Sequence, residues 1–209
     1  MEQASEKSRP HRGPTTTRSQ RPEPRSLLPV TTETMFRAMP DKARYFARIN
    51  PPLRHTIQAC RDGKSPWPLF LYGDVGCGKT CAALSVADSC RWSVVFTLRQ
   101  VCEKKGQAMR GELYSKNPQA PNRVTEADMM DYLIRCDLLV LDEIGARDEV
   151  SNAETDVLHT LLSGREGRPM ILTSNRKPDD LKALYGAAVV SRILAGTTVE
   201  VVGPDKRLA

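Results

Sequence analysis

At 209 residues the chain holds one domain of useful core size plus a tail, and is short for two domains. Hydrophobic residues make up 40% and charged residues 27%, which excludes a wholly unfolded polymer and fits a soluble globular protein. The net charge of +6 permits contact with nucleic acid without demanding it, and no apolar run approaches the roughly 18 residues that span a bilayer. Met1 to Lys7 carries no apolar signal core, so a cytoplasmic protein with no membrane partner is expected. The 6 cysteines include no C-x-x-C pair and no histidine at zinc-ligand spacing, so they read as thiols.

Residues 1–34 read as a disordered tail. They carry Pro10, Pro14, Pro22, Pro24 and Pro29 with Arg9, Arg12, Arg18, Arg21 and Arg25, and too few apolar side chains to offset the entropy of ordering. The tail is either a solvated segment or a docking arm for DNA or protein. Residues 35–65 form a helical linker, with a helix over 41–61 broken at Pro51-Pro52. Residues 66–209 then alternate strands and helices. Leu69 to Tyr72 is a buried strand, Lys79 to Cys90 an alanine-rich helix, and Ser93 to Leu98 a second strand. A helix over Val101 to Met109 precedes a loop at 115–124 with Pro118 and Pro121. Thr125-Glu126-Ala127-Asp128 is a capped helix start, leading to Met129, Met130, Leu133 and Ile134 on one face. Leu138 to Leu141 is the third strand, and Val157, Leu158, Leu161 and Leu162 mark a helix closed by Gly164. Met170 to Thr173, two short helices near 178–184 and 187–195, and a strand over Thr198 to Val202 complete the chain. Apolar runs alternating with helices predict an α/β fold, a five-stranded parallel sheet covered on both faces.

Gly73-Asp74-Val75-Gly76-Cys77-Gly78-Lys79-Thr80 matches G-x-x-x-x-G-K-[ST] in full. Chance would supply such a string in a chain this long on the order of 1% of the time. Glycines let successive backbone N–H groups point at phosphate oxygens, and the following helix offers them its positive end. Lys79 reaches the β- and γ-phosphates, the Thr80 hydroxyl ligates Mg²⁺, and ATP-Mg²⁺ is the expected ligand. Cys77 is a small residue that fits the loop. The strand at Leu138–Leu141 ends in Asp142 and Glu143. Asp142 is placed to face the Mg²⁺ shell and Glu143 to polarise a water for attack on the γ-phosphate. Leu172-Thr173-Ser174-Asn175 ends the next strand with polar groups, whose amide is suited to hold that water; a turn or cap is the alternative.

These three segments resemble the Walker A, Walker B and sensor 1 motifs of AAA+ ATPases. GDVGCGKT, LLVLDEIG and ILTSN are similar to the DnaC/IstB group of helicase loaders and transposition helpers. So is the ending Ser191-Arg192-Ile193-Leu194, Val199 to Gly203, and Lys206-Arg207-Leu208. The resemblance covers about residues 66–209 and implies an AAA+ domain with no separate C-terminal lid. It implies Asn175 as the sensor and Arg192 as an arginine finger reaching a neighbour's site in a nucleotide-dependent homo-oligomer. Arg165, Arg168 and Arg176, on the same side of the chain, are the next candidates. Arg207 is a further candidate for sensing nucleotide. The implied function is ATP hydrolysis on DNA, foremost DnaC-like loading of a replicative helicase, with single-stranded DNA as a partner. An IstB-like helper of a transposase is one alternative, and an ATP-regulated scaffold with little turnover is another.

Overall fold

The computed structural model describes residues 51–115 and 122–205. The arginine-rich tail, the helix expected over 41–50 and Arg207 lie outside these residues. Helix α1 (Pro51–Arg61) has both prolines in its first turn. Proline is tolerated in a first turn, where its missing N–H has no partner to lose. Strand β1 (Leu69–Tyr72) leads through the glycine loop to α2 (Lys79–Asp88). Strand β2 spans Ser93–Thr97. It is one residue shorter than predicted, because Leu98 opens α3 (Leu98–Arg110). The reason is a capping box: the Gln100 N–H donates to Thr97 Oγ1 at 3.2 Å, and the Thr97 N–H donates to Gln100 Oε1 at 2.9 Å.

The predicted cap at Thr125 is present, with the Asp128 N–H donating to Thr125 Oγ1 at 3.1 Å, and starts α4 (Glu126–Arg135). There follow β3 (Leu138–Asp142), α5 (Asn152–Gly164), β4 (Met170–Ser174), α6 (Pro178–Tyr185), α7 (Ala187–Leu194) and β5 (Thr197–Glu200).

The five strands form one sheet in the order β2-β3-β4-β1-β5, every pair parallel. The period-2 alternation of each strand sorts its side chains between two cores. Leu69, Leu71, Val95, Leu138, Val140 and Ile171 face α1 and α2, where Ala82, Ala83 and Ala87 let the helix backbone come close. Phe70, Val94, Phe96, Leu139, Leu141 and Leu172 face α3, α4, α5, α6 and α7. Each fully buried side chain of this size contributes about 1.5–3 kcal/mol. Register then brings the carboxyl ends level: Leu71 pairs with Thr173, Tyr72 with Ser174 and Leu141 with Leu172. The polar residues at those ends therefore share one edge of the sheet.

Arg165 is a product of the same packing. It is buried, its Nη1 donating to Leu133 O and Ile134 O at 2.8 Å and to Cys136 O at 3.0 Å. These carbonyls close the end of α4, whose last carbonyls lack helical donors. Arg165 is thus committed inside its own subunit and is removed as a candidate finger. Burial pushes the neighbouring Cys136 thiol up to about 11, against the opposing effect of Arg165.

Candidate nucleotide-binding site

The loop between β1 and α2 depends on left-handed glycines: φ is 143° at Gly73, 78° at Gly76 and 106° at Gly78. A side chain at Gly73 would also strike the carbonyl oxygen of Val201. Helix α2 has Gly78 at its N-cap, no side chain bonded to its first N–H groups and no acid in its first turn. Those donors and the helix dipole remain for an anion. Cys77 is buried and packs into the core, as a small loop residue should, whereas Asp74 and Val75 stand exposed at the loop tip.

Lys79 is buried, and its ammonium donates to Gly73 O at 2.8 Å and Asp74 O at 2.6 Å. The loop thus satisfies its own lysine. Thr80 Oγ1 donates to Asp142 Oδ1 at 2.9 Å, joining the first turn of α2 to the end of β3. Two residues 62 positions apart in sequence, predicted to share a metal, are therefore in contact. Both offer hard oxygen donors, the type Mg²⁺ takes. Among the described residues no cluster of three or more acidic, histidine or cysteine side chains forms a cage. Thr80 Oγ1 and the Asp142 carboxylate are the oxygen donors that would hold such an ion.

Glu143 follows Asp142 and is the only non-glycine residue with positive φ among those described, at 58°. That conformation costs about 1–2 kcal/mol for a residue with a Cβ. Strand β4 holds it there. The Glu143 N–H donates to Thr173 Oγ1 at 3.0 Å, and the Ile144 N–H donates to Thr173 O at 2.9 Å. The Thr173 hydroxyl in turn donates to Asp142 Oδ1 at 2.5 Å. One buried hydroxyl thus fixes the Asp142 carboxylate and the Glu143 backbone. Asn175 lies exposed just beyond β4, and the Gly73 N–H donates to Ser174 O at 3.3 Å, which ties that strand end to the glycine loop.

The loop after Glu143 is clamped as well. Ser174 Oγ donates to Ile144 O at 2.7 Å, Arg176 Nε to Gly145 O at 2.6 Å, and Arg176 Nη2 to Asp148 at 2.6 Å. The Gly145 N–H donates to the Tyr185 hydroxyl at 2.9 Å. Burial raises the pKa of that hydroxyl, so it stays protonated. Arg176 is in this way occupied by its own loop. Arg192 sits on the exposed side of α7, with Nη1 donating to Ala188 O at 3.2 Å, and is not joined to the Thr80–Asp142–Thr173 network.

Sequence reasoning selected the amide of Asn175 and passed over Thr173 and Ser174. The signal for Thr173 was its place on the strand beside Asp142, which requires the strand order to read. Thr80 and Asp142 are in hydrogen-bond contact, and a family model described as IstB-like ATP binding protein matches residues 65–199. The chain belongs to this family. The IstB-like chain is 26% identical over 141 residues to the chromosomal replication initiator protein DnaA of Thermosipho melanesiensis (strain DSM 12029 / CIP 104789 / BI429). That match takes in 66% of the chain but 30% of the relative. It is 30% identical over 124 residues to DnaA of Campylobacter curvus (strain 525.92), covering 57% of the chain and 26% of that protein. The IstB-like chain therefore spans under a third of the length of these curated relatives. AMPPCP-bound DnaA from Aquifex aeolicus shares its fold at a TM-score of 0.58 and 18% identity, over 73% of this chain and 47% of that one. The crystal structure of DnaI matches at a TM-score of 0.50 and 23% identity, over 82% of this chain and 84% of that one. The chain is an ATP-binding AAA+ domain of the IstB-like family. No helix among its described residues is long and apolar enough to cross a membrane.

Proposed function

We propose that the chain hydrolyses ATP at this site and uses the cycle to reset an assembly on DNA in the cytoplasm. The observation that supports this is the Thr173 hydroxyl, which bonds both the Asp142 carboxylate, itself in contact with Thr80, and the backbone N–H of Glu143. In the proposed cycle Lys79 leaves its loop carbonyls for the β- and γ-phosphates. Thr80 and Asp142 hold Mg²⁺, which when bound neutralises charge on those phosphate oxygens. Glu143 accepts the proton of the attacking water, Asn175 orients that water, and Arg192 of a neighbouring copy meets the developing charge. ATP and water give ADP and phosphate.

Thr173→Val removes the hydroxyl and retains the branched shape. ATP affinity is expected to stay within about twofold, while kcat falls about 10- to 100-fold, the equivalent of the 1–3 kcal/mol that a lost buried hydrogen bond costs. Thr173→Ser should restore most of the rate. Steady-state phosphate release checks both, and an unchanged kcat in Thr173→Val would remove Thr173 from the reaction.

The partner proposed is single-stranded DNA together with a replicative helicase, as in DnaC-like loading. The replication-initiator relatives and the net charge of +6 support a setting on DNA. The match to the IstB-like family model favours a second reading, an ATPase that assists a transposase. Phosphate release measured with and without single-stranded DNA tests the shared part. DNA should raise turnover. Tight ATP binding with negligible turnover in both conditions would mark a scaffold instead. Copurification of a helicase or of a transposase with the ATP-loaded chain separates the two readings.

A further inference from the structure

The segment after β5 crosses the glycine loop. The Val201 N–H donates to Tyr72 O at 2.7 Å, Val201 is buried, and its carbonyl occupies the space a side chain would need at Gly73. Four residues on, the carboxylate of Asp205 lies against Gly76. A Cβ built at Gly76 would fall on Asp205 Oδ1 and Cγ, with Oδ2 2.8 Å from the same point. Gly76 lacks a Cβ and has φ of 78°, so the backbone there is open to close approach. Its loop is the part of the molecule built to receive phosphate oxygens. A carboxylate carries the same sign of charge and the same kind of acceptor atoms as a phosphate.

We propose that Asp205 is a tethered competitor for the phosphate site: its carboxylate rests on the glycine loop until the phosphates of a nucleotide displace it, and the segment at 201–205 is thereby coupled to nucleotide binding. The inference rests on the glycine loop being the phosphate site of an ATP-binding domain. Three features combine in it. The backbone contacts at Tyr72 and Gly73 anchor the segment beside the loop, the glycine at 76 leaves room, and an acid is the residue placed there. The tether makes the competitor local, so it acts at any protein concentration. Linkage makes the effect reciprocal: whatever Asp205 subtracts from nucleotide affinity, nucleotide subtracts from the contact.

The apparent affinity of a site falls in proportion to the fraction of molecules in which it is open. If the contact is formed nine times in ten, its removal raises affinity about tenfold. The test uses the full chain. Asp205→Asn keeps the side-chain shape and removes the charge, and Asp205→Ala removes both; thermal melts confirm that each is folded. Affinities for ATP and for pyrophosphate are measured by calorimetry against the wild type. Both variants should bind both ligands about tenfold more tightly. Pyrophosphate is included because it has no base or ribose, so its gain reports the phosphate site alone. Unchanged or weakened affinity in both variants would overturn the proposal, as would a gain for ATP with none for pyrophosphate. A wild-type chain that binds neither ligand would instead overturn the nucleotide-site reading on which the proposal stands.

Discussion

Glu143→Gln is expected to bind ATP as tightly as the wild type and to turn it over 10²- to 10⁴-fold more slowly, the span a positioned general base ordinarily contributes. An amide of the same size accepts no proton from the attacking water. Its backbone makes the same bond to Thr173, so the left-handed turn at φ of 58° is kept and the fold is untouched. Folding and ATP affinity thus serve as internal controls, and loss should appear in kcat alone. Single-turnover phosphate release, with ATP affinity measured in parallel, checks it. Retention of most of the wild-type rate would move the base to another residue.

Arg192→Ala is expected to lower turnover on the order of 10³-fold or more while leaving ATP binding intact, because removing an arginine finger withdraws charge stabilisation from the transition state alone. The guanidinium suits that role, being planar, always charged and forked. Within one subunit it is exposed and bonded to Ala188 O of its own helix, a contact it can give up. If it acts in trans, a Lys79→Ala subunit, unable to load ATP, still offers its own Arg192. Mixed with Arg192→Ala, two nearly inactive proteins should recover part of the ATPase activity, more steeply at concentrations that favour assembly. The mixture is assayed with and without DNA, and crosslinking confirms mixed oligomers. Mixed oligomers as inactive as both parents would show that Arg192 does not complete a neighbour's site. The structure narrows what could replace it: Arg165 is buried on the carbonyls at the end of α4, and Arg176 is held by Gly145 O and Asp148.

Much of this site could be read from sequence because its chemistry is local. Eight consecutive residues define the phosphate loop, and two acids at the end of an apolar strand define their partner. The five strands and the helical faces, such as Val157, Leu158, Leu161 and Leu162, were legible because burial imposes periods of 2 and 3.6. Boundaries moved where a specific hydrogen bond overrode periodicity. Leu98 is apolar enough to end a strand, yet the Thr97–Gln100 box makes it the first residue of a helix. What depended on strand order was not legible. Thr173 reaches Asp142 because β4 lies beside β3 in the sheet, although 31 positions separate them in the chain. Asp205 reaches Gly76 for the same kind of reason, since β5 lies beside β1. Arg165 shows the converse: the sequence offers it as a candidate finger, and only tertiary packing makes it a buried clasp.

In the proposed function ATP-Mg²⁺ is held by the Gly73–Thr80 loop through Lys79 and Thr80. Titration of a fluorescent ATP analogue into the wild type and Lys79→Ala, each with and without Mg²⁺, tests it most directly. Saturable, Mg²⁺-strengthened binding is expected for the wild type and none for a folded Lys79→Ala. Near-normal affinity in Lys79→Ala would contradict it.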